Sequence, residues 1–514
     1  MTSINPIIPG FAPDPSVVKV ADWFFLCNSS FHLFPGLPIY ASQDLVSWKQ
    51  IGNAINRQSQ LSLRNSDTRL HPLEDKNEVL VASGGLYAPT IRYKDGTFYI
   101  VCTNVINTGP KTNTANFIIS TNDIWSDYWS DPVYFEFDGI DPSIYFDEEY
   151  GKVYIQGSAG PGPYTTINLF EINLVTGTKI SEERIIWRGT GGIYPEGPHL
   201  YKRKDWYYLL IAEGGTHDGH MVTMARSKDI WGPYEASPNN PILTARGTDE
   251  YIQYTGHCDI FEDDNTGRWW CTCLGVRKDS GGRFIMGRET HITPMVWNEE
   301  WPVIERVKTS PLGLDMNLIS PRLVTKPSVD FVYIRDPVAS NYHLIDSTSG
   351  TILASRPDLS HPQMSPSFIG KRQRLLNGSS SVSLHSIHNA SQLSKLRTGL
   401  ACYKDEHRYV WIYYDTAENT VSMELVNKAK GIRRTERHEL RSRPVCVHFS
   451  IKYSEQSYRL EYSSAETATQ SWVHVATVDT LDMTGPDFTG PILGVCAFCE
   501  TDGAEVEFQN LAID

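Results

Sequence analysis

The chain up to Trp301 consists of short stretches in which apolar and polar residues alternate, separated by glycine, aspartate and asparagine. A period of two is typical of β-strands, and almost no stretch keeps the 3.6-residue period of a helix. Five units repeat along this region, each with two strands and often a closing Ser-x-Asp-(Leu/Ile)-x-x-Trp segment, as in Ser42–Trp48. Repeats of this kind predict an all-β fold, a five-bladed β-propeller; a β-sandwich is the competing fold, which five copies of one unit disfavour.

The repeat stops after Trp301, and a second domain is expected beyond it. A segment containing proline and serine comes first and is typical of a connector. Strands with period-two alternation follow, beginning at Tyr409, Val421 and Tyr458, with a spacing typical of a two-sheet stack. We therefore predict a propeller over residues 1–309, a linker over 310–327 and a C-terminal β-sandwich over 328–514.

The segment that opens each repeat contains the candidate chemistry. In chain order the openings are Phe11-Ala-Pro-Asp14-Pro-Ser16, Gly85-Leu-Tyr87-Ala88-Pro-Thr90, Gly139-Ile-Asp141-Pro-Ser143, Tyr194-Pro-Glu196-Gly-Pro198 and Thr255-Gly-His257-Cys-Asp259. In a propeller the first strand of each blade lines the central channel, so matching positions converge at one end of the axis. The sequence therefore predicts that Asp14, Asp141, Glu196 and His257 gather at the channel mouth.

Three carboxylates at one channel mouth point to a reaction. A single Asp-Pro pair is weak evidence, because it commonly starts a turn and acidic residues at turns are usually solvated. A cluster is different, since like charges repel and cost stability unless they have a use. Hydrolysis of a glycosidic bond is such a use: one carboxylic acid protonates the departing oxygen, and one carboxylate activates water or attacks the sugar. A sugar-binding propeller without catalysis is the alternative, but a lectin needs no proton donor.

Composition narrows the class of partners. The chain has 46 Lys and Arg against 60 Asp and Glu, a formal charge of −14, which disfavours nucleic acid. No apolar run approaches the length needed to span a bilayer, and the first residues lack the pattern of a signal peptide, so we expect a cytoplasmic protein. The nine cysteines are an odd number, consistent with free thiols in a reducing compartment.

These motifs resemble those of the family 43 glycoside hydrolases, in the branch of β-xylosidases and α-L-arabinofuranosidases. The matching elements occur in the first, third, fourth and fifth units, in the expected order: Pro13-Asp14-Pro15, Asn28-Ser-Ser-Phe31, Asp141-Pro-Ser143, Pro195-Glu196-Gly197-Pro198, Glu213-Gly-Gly-Thr216, Gly256-His257 and Gly287-Arg288-Glu-Thr290. The resemblance implies an inverting mechanism, with Asp14 as the general base acting on water, Glu196 as the general acid, and Asp141 raising the pKa of Glu196 and orienting it. It also implies a lectin-like jelly roll for the second domain.

The resemblance further implies which side chains bind the sugar. Phe31, His257 and Arg288 match positions that line the sugar subsite; for Arg288 the alternative is a salt-bridged surface residue. We expect no required cofactor. A structural Ca²⁺ ion or a water molecule bound near His257, as in some relatives, is one interpretation of this residue, and a packed polar side chain is the other.

Two further regions complete the expected subsite. Phe488, within Gly485-Pro-Asp-Phe-Thr-Gly490, matches a loop through which the second domain reaches over the propeller mouth; an ordinary hairpin tip or a packed phenylalanine is the alternative. Many such xylosidases have tryptophan before the Ala-Pro of the second opening, whereas this chain has Tyr87 before Ala88. The smaller aromatic platform affects the expected substrate more than the chemistry.

The leading hypothesis is an exo-acting hydrolase that releases xylose from the non-reducing end of β-1,4-xylo-oligosaccharides. An α-L-arabinofuranosidase, or another family 43 hydrolase, is the alternative, because the two pentoses overlap in shape. We expect a xylo-oligosaccharide or arabinoside as the partner, with no nucleic acid and no membrane, and a homo-oligomer is compatible with the sequence.

Overall fold

The structure is a computed structural model that describes residues 4–73, 78–160, 162–298, 300–314, 323–385, 395–464, 471–501 and 503–514. These residues form an all-β protein, as the alternation predicted, and their helical content is limited to the 3-10 turns Ala339–Asn341, Lys428–Lys430 and Thr480–Asp482. Within the same ranges no helix is long and apolar enough to cross a membrane. All nine cysteines lie within these ranges, and none of them forms a disulfide bond, as expected.

The strands of the repeated region are connected by turns and by longer loops. In chain order they are β1 (Ser16–Val20), β2 (Trp23–Cys27), β3 (Leu33–Phe34), β4 (Gly36–Ser42), β5 (Trp48–Ile55), β6 (Thr68–Leu73), β7 (Glu78–Ser83), β8 (Gly85–Lys94), β9 (Thr97–Thr108), β10 (Lys111–Thr121), β11 (Val133–Phe135), β12 (Gly139–Asp147), β13 (Lys152–Ala159), β14 (Thr166–Glu171), β15 (Arg184–Trp187), β16 (Glu196–Arg203), β17 (Trp206–Glu213), β18 (Met221–Ser227), β19 (Glu235–Ala236), β20 (Leu243–Thr244), β21 (Ile252–Asp263), β22 (Arg268–Arg277), β23 (Glu289–Val296) and β24 (Val303–Ile304).

These strands pair into five antiparallel sheets, with orders β1-β2-β4-β5, β8-β9-β10-β11, β12-β13-β14-β15, β16-β17-β18-β19 with β20 beside β18, and β21-β22-β23-β24. The first strands of the sheets lie side by side: β1 contacts β8, β8 contacts β12, β12 contacts β16, β16 contacts β21, and β21 contacts β1. Sheets whose first strands enclose one channel form a β-propeller. Between the first two sheets, β6 and β7 form a separate hairpin.

The aspartate of the repeated Ser-x-Asp segment shapes the turn after the third strand of a sheet. The Asp44 carboxylate accepts the backbone N–H of Val46 at 2.8 Å, and the Asp229 carboxylate accepts that of Trp231 at 2.9 Å. Aspartate is favoured at such positions because its short side chain can bond to the backbone two residues on. The motif seen in the sequence therefore reflects a local turn requirement.

The second domain contains two sheets that pack around one apolar core. Its strands are β25 (Leu323–Thr325), β26 (Tyr333–Ile334), β27 (Tyr342–Leu344), β28 (Gly350–Leu353), β29 (Phe368–Arg372), β30 (Gly378–His385), β31 (Arg397–Asp405), β32 (Arg408–Asp415), β33 (Thr420–Asn427), β34 (Ile432–Glu439), β35 (Val447–Tyr453), β36 (Ser457–Ser463), β37 (Val473–Asp479), β38 (Ile492–Phe498) and β39 (Glu505–Ile513). The sheet orders are β27-β28-β39-β30-β35-β36-β37 and β29-β38-β31-β32-β33-β34, and both sheets contribute to the core. This arrangement is a β-sandwich, as predicted.

The two domains are joined by strand pairing and by a common apolar cluster. β25, which falls inside the predicted linker, pairs in parallel with β5 of the first sheet, and β26 pairs with β3. Phe11 and Leu33 of the propeller belong to the same apolar cluster as Phe368 and Tyr403 of the sandwich. The domains are therefore packed as one body around this seam, which adjoins the channel mouth.

Leu33→Ala tests whether this seam stabilises the whole chain. Leu33 is fully buried between the domains, so we expect the substitution to lower the free energy of unfolding by about 2–5 kcal/mol. Leu312→Ala is the control, because Leu312 is 70% exposed and its loss should change little. Denaturant unfolding measures both; equal small effects would contradict a shared core.

Candidate active site

A backbone kink recurs within the first strand of each sheet or just before it. Five residues adopt a left-handed conformation there, with φ of 52° at Asp14, 38° at Ala88, 54° at Asp141, 55° at Gly197 and 48° at His257. In β8, β12, β16 and β21 the pairing register shifts across the kink. Such bulges re-aim side chains, and here Asp14, Asp141 and His257 come to line one pocket.

Glu196 does not occupy the position that the repeat comparison assigned to it. The kink of the fourth sheet falls at Gly197, so Glu196 lies one residue earlier in its unit than Asp14 and Asp141 do in theirs. It nevertheless lines the same pocket, half-buried where the two aspartates are buried. The three carboxylates converge, but not through strict repetition.

The pocket is a cavity of about 660 Å³. Besides the kinked strands, its walls include three further segments: the β6–β7 hairpin (His71, Pro72, Leu73, Leu80, Ala82), the residues before Glu196 (Ile193, Tyr194), and the loop from Gly214 to His220. Two clefts of about 880 and 940 Å³ contain none of the three carboxylates, although the second adjoins this cavity and shares Pro72 and Leu73 with it. We therefore assign the active site to the smaller cavity.

Asp14 is surrounded by donors. Its Oδ2 accepts a hydrogen bond from the hydroxyl of Ser29 at 2.6 Å, and its Oδ1 accepts one from Nη1 of Arg288 at 3.3 Å. Nδ1 of His257 lies 3.9 Å from the same Oδ1. Burial alone raises the pKa of Asp14, but the charges of Arg288 and His257 and the bond from Ser29 outweigh it and leave the pKa below its ordinary value. Asp14 is therefore ionised at neutral pH.

Glu196 has the opposite environment. Burial raises its pKa well above the ordinary value, and the neighbouring carboxyl groups of Asp141 and Asp14 raise it further. Burial, followed by the charge of Asp14, also raises the pKa of Asp141, whose Oδ2 accepts the N–H of Gly197 at 3.1 Å. The pocket thus pairs a readily ionised carboxyl group with one that keeps its proton to higher pH, an arrangement typical of acid–base sites.

Three aromatic rings form one wall of the pocket. Phe31 lies 4.8 Å from Tyr87 and 5.7 Å from Phe488 between ring centroids, and Tyr87 lies 5.9 Å from Phe488. The Arg288 guanidinium stands 4.9 Å from the Phe488 ring centre. The sandwich loop therefore reaches the propeller mouth, where Phe488 is half-buried among these side chains.

The other two predicted positions support the pocket in different ways. The N–H of Ala88 donates to Ser29 Oγ at 2.7 Å, so this residue steadies a partner of Asp14 and does not line the cavity. His257 lines the cavity and packs against the backbone at Gly197, where a Cβ would lie 2.9 Å from its ring. Both residues are thus part of the kinked framework.

Sequence reasoning missed two groups in this site. The first is the β6–β7 hairpin. It could have been suspected because the stretch of chain between the opening segments of the first and second repeats is longer than that between any later pair. The second is His220, whose Nδ1 donates to the carbonyl of Tyr254 at 2.8 Å and whose pKa is lowered to about 3 by burial. Nothing in its local sequence marks His220, because its place in the pocket comes from tertiary packing against Gly256.

A structural Ca²⁺ ion or a water molecule near His257 stays a prediction, with a packed polar side chain as the alternative. Among the residues that the structure describes, no group of three or more His, Cys, Asp or Glu side chains is arranged to hold a metal ion.

Comparison with known proteins decides the family. The model described as glycosyl hydrolases family 43 matches residues 3–302, more than half of the chain. The chain belongs to glycoside hydrolase family 43. A second model, described as a beta xylosidase C-terminal Concanavalin A-like domain, matches residues 325–512 of this glycoside hydrolase. The two matches correspond to the propeller and to the sandwich.

Similar proteins extend over most of the family 43 chain. A non-reducing end α-L-arabinofuranosidase of Bacteroides ovatus is 33% identical over 96% of this chain and 90% of its own length. A xylosidase/arabinosidase of Butyrivibrio fibrisolvens is 35% identical over 72% of each chain. Among solved structures, the Bacteroides ovatus xyloglucan PUL GH43B has a TM-score of 0.85 at 30% identity, and a xylan β-1,4-xylosidase of Bacillus halodurans has 0.82 at 25%, covering 100% and 98% of both chains respectively.

Gly197→Ala tests the kinked framework. Alanine at a left-handed position costs about 1–2 kcal/mol, and here its Cβ would also press on the His257 ring. Gly151→Ala is the matched control, with φ of 62° but no atom within 4 Å of the added Cβ. We expect Gly197→Ala to lower the free energy of unfolding more than Gly151→Ala does, measured by denaturant unfolding. Equal losses would contradict the contact with His257.

Proposed function

We propose that this family 43 hydrolase is an exo-acting, inverting enzyme that releases xylose from the non-reducing end of β-1,4-xylo-oligosaccharides. The observation that supports it is the opposite displacement of two carboxyl pKa values in one pocket, lowered at Asp14 and raised at Glu196. An ionised base and a protonated acid can then coexist at a pH between the two pKa values, as hydrolysis with inversion requires. In this proposal the five sheets are the five blades of the propeller.

The mechanism is a single displacement. Asp14 takes a proton from a water molecule, whose oxygen attacks the anomeric carbon as the glycosidic bond breaks. Glu196 gives its proton to the departing oxygen, and exchange with solvent then restores both groups. Asp141 keeps the pKa of Glu196 high and holds the adjacent backbone through Gly197. Water and these carboxyl groups balance the reaction, so no cofactor is needed.

The shape of the site supports attack at a chain end. The rings of Phe31, Tyr87 and Phe488 stand on one side of the cavity, and the β6–β7 hairpin adds to its wall. Walls of this kind support a pocket over an open groove. A pocket admits the terminal sugar of a chain. Phe31 would occupy the space that a hexose needs for its hydroxymethyl group, which favours a pentose.

Release of terminal L-arabinofuranose is the second candidate. It is favoured by the Bacteroides ovatus relative, an α-L-arabinofuranosidase that matches nearly the whole chain, and by the second relative, whose name covers both activities. Tyr87 in the aromatic wall is the position that we expect to influence the choice. Rates on aryl β-xylosides and aryl α-L-arabinofuranosides decide between the two.

Glu196→Gln should remove the proton donor. We expect hydrolysis of substrates with poor leaving groups, such as xylobiose, to slow by about 10²–10⁴-fold. Aryl glycosides with acidic leaving groups should be affected much less, because they scarcely need protonation. Equal losses on both substrate types, measured as kcat/KM, would remove Glu196 from this role.

The pH dependence of kcat/KM should follow from the two displaced pKa values. Activity should fall at low pH, as Asp14 gains a proton below its lowered pKa, and at high pH, as Glu196 loses its proton above its raised pKa. Glu196→Gln should keep the acid limb and lose the basic limb. A basic limb that persists in the variant would assign it to another group.

The fresh product should have inverted anomeric configuration. If Asp14 activates water and does not attack the sugar, a β-xyloside gives α-xylose first, which proton NMR detects before mutarotation. Retained configuration would make Asp14 a nucleophile and contradict the proposed mechanism. The same experiment with an arabinofuranoside reports the stereochemistry of the second activity.

A further inference from the structure

A turn of the sandwich rich in charged residues is buried at the seam between the domains. It comprises the end of β31, the connection and the start of β32, and contains Lys404, Asp405, Glu406 and Arg408, each at most 1% exposed. From the sequence Lys-Asp-Glu-His-Arg, a solvated hairpin tip is expected. Buried charges lower the stability of a protein unless each is paired with an opposite charge. We therefore expect this turn to have a role beyond packing.

The turn holds the residues on both sides of Phe488. The carboxylate of Asp487 accepts hydrogen bonds from Lys404 Nζ and Arg408 Nη1, while Arg408 Nη2 donates to Thr489 Oγ1 at 3.4 Å. The carboxylate of Asp405 accepts a hydrogen bond from Arg408 Nε at 2.9 Å, which fixes the orientation of the guanidinium group. Phe488 is thus anchored through its two neighbours in the chain.

Phe488 in turn contacts the arginine beside the base. Its carbonyl accepts Nη2 of Arg288 at 3.1 Å, and Nη1 of Arg288 reaches Asp14 at 3.3 Å and Thr216 Oγ1 at 3.1 Å. One guanidinium therefore joins a loop of the sandwich to a carboxylate of the propeller. A planar group with two such bonds has its direction fixed.

We propose that Asp487 is a positioning residue for catalysis: by anchoring the Phe488 carbonyl to Lys404 and Arg408, it sets the direction of Arg288 and, through it, of Asp14. The inference rests on the proposed function, in which Asp14 is the base. It gives the second domain a part in the chemistry without any contact between that charged turn and the substrate.

A double-mutant cycle between Asp487 and Arg288 tests the path. We expect Asp487→Asn to lower kcat by about ten- to a hundredfold, as misplacement of a catalytic group does. Arg288→Lys cannot hold Phe488 and Asp14 at once, so adding Asp487→Asn to it should cost no more than about twofold further. If the double variant lost kcat by the product of the two single losses, the proposal would be overturned. Thermal unfolding confirms that each variant is folded.

Glu406→Gln is the matched control. Glu406 lies in the same turn, is equally buried and pairs with Arg335 at 2.8 Å, but it is not on the path to Arg288. We expect the double variant of Glu406→Gln and Arg288→Lys to lose kcat by the product of the two single losses. If Glu406→Gln showed the same coupling as Asp487→Asn, the turn would act by general stabilisation and the proposal would fail.

The acid limb of kcat/KM separates positioning from plain electrostatics. The groups that face Asp14 are Arg288, His257, His220 and Ser29, with Asp141 and Glu196 in the same pocket. Removing the negative charge of Asp487 would by itself move the limb to lower pH, whereas displacement of Arg288 raises the pKa of Asp14 and moves it to higher pH. We expect the higher pH; a shift to lower pH would overturn the proposal.

Two precautions keep every outcome decisive. If Asp487→Asn fails to fold, Lys404→Met enters the cycle instead, because it loosens Asp487 while leaving the Arg408 bond in place. If the wild-type enzyme cleaves neither aryl xyloside nor aryl arabinofuranoside, the proposed function fails, and the same cycle is read by calorimetric binding of xylose and of arabinose. Non-additive losses of affinity support the positioning path, and additive losses overturn it.

Discussion

The repulsion among three carboxyl groups in one pocket is the constraint on which the rest of this site depends. Left alone, burial would favour the neutral form of all of them, and the mutual repulsion would add to that effect. Arg288 breaks the symmetry because it bonds to Asp14, while Glu196 keeps burial and two acidic neighbours. The kinked strands determine the approach of the carboxyl groups, and the sandwich loop determines the direction of the arginine. Fold and chemistry therefore meet at a single guanidinium group.

Much of this could be predicted from the sequence, because the relevant signals are local. Period-two alternation predicted the strands of both domains, and the Asp-Pro openings predicted that Asp14 and Asp141 converge. Glu196 was predicted to join them, but its offset by one residue was not, since the kink moved to Gly197, and only the backbone conformation shows this. For Phe488 the sequence left three positions open: the propeller mouth, a hairpin tip or the core of the sandwich. The structure places it in the pocket wall.

The remaining features depend on tertiary contacts that no local pattern records. The charged turn of the sandwich has the composition of a solvated loop, and its burial follows only from where the two domains meet. The β6–β7 hairpin faces two ways: Val81 donates its N–H to the carbonyl of Pro486 in the sandwich loop, while Leu80 beside it lines the pocket. Alternation predicts such a two-faced hairpin, but not which partner each face meets.

The pairing of β25 with β5 has a consequence for synthesis on the ribosome. The first sheet is translated first, yet the outer edge of β5 gains its partner only when Leu323–Thr325 emerges, and β3 waits for Tyr333–Ile334. Until then the nascent chain presents unpaired strand edges, which invite pairing with other chains. Early domains usually finish folding before later ones appear. Here the earliest sheet gains its last strand only after the other four sheets of the propeller have been translated, so its outer edge stays open the longest.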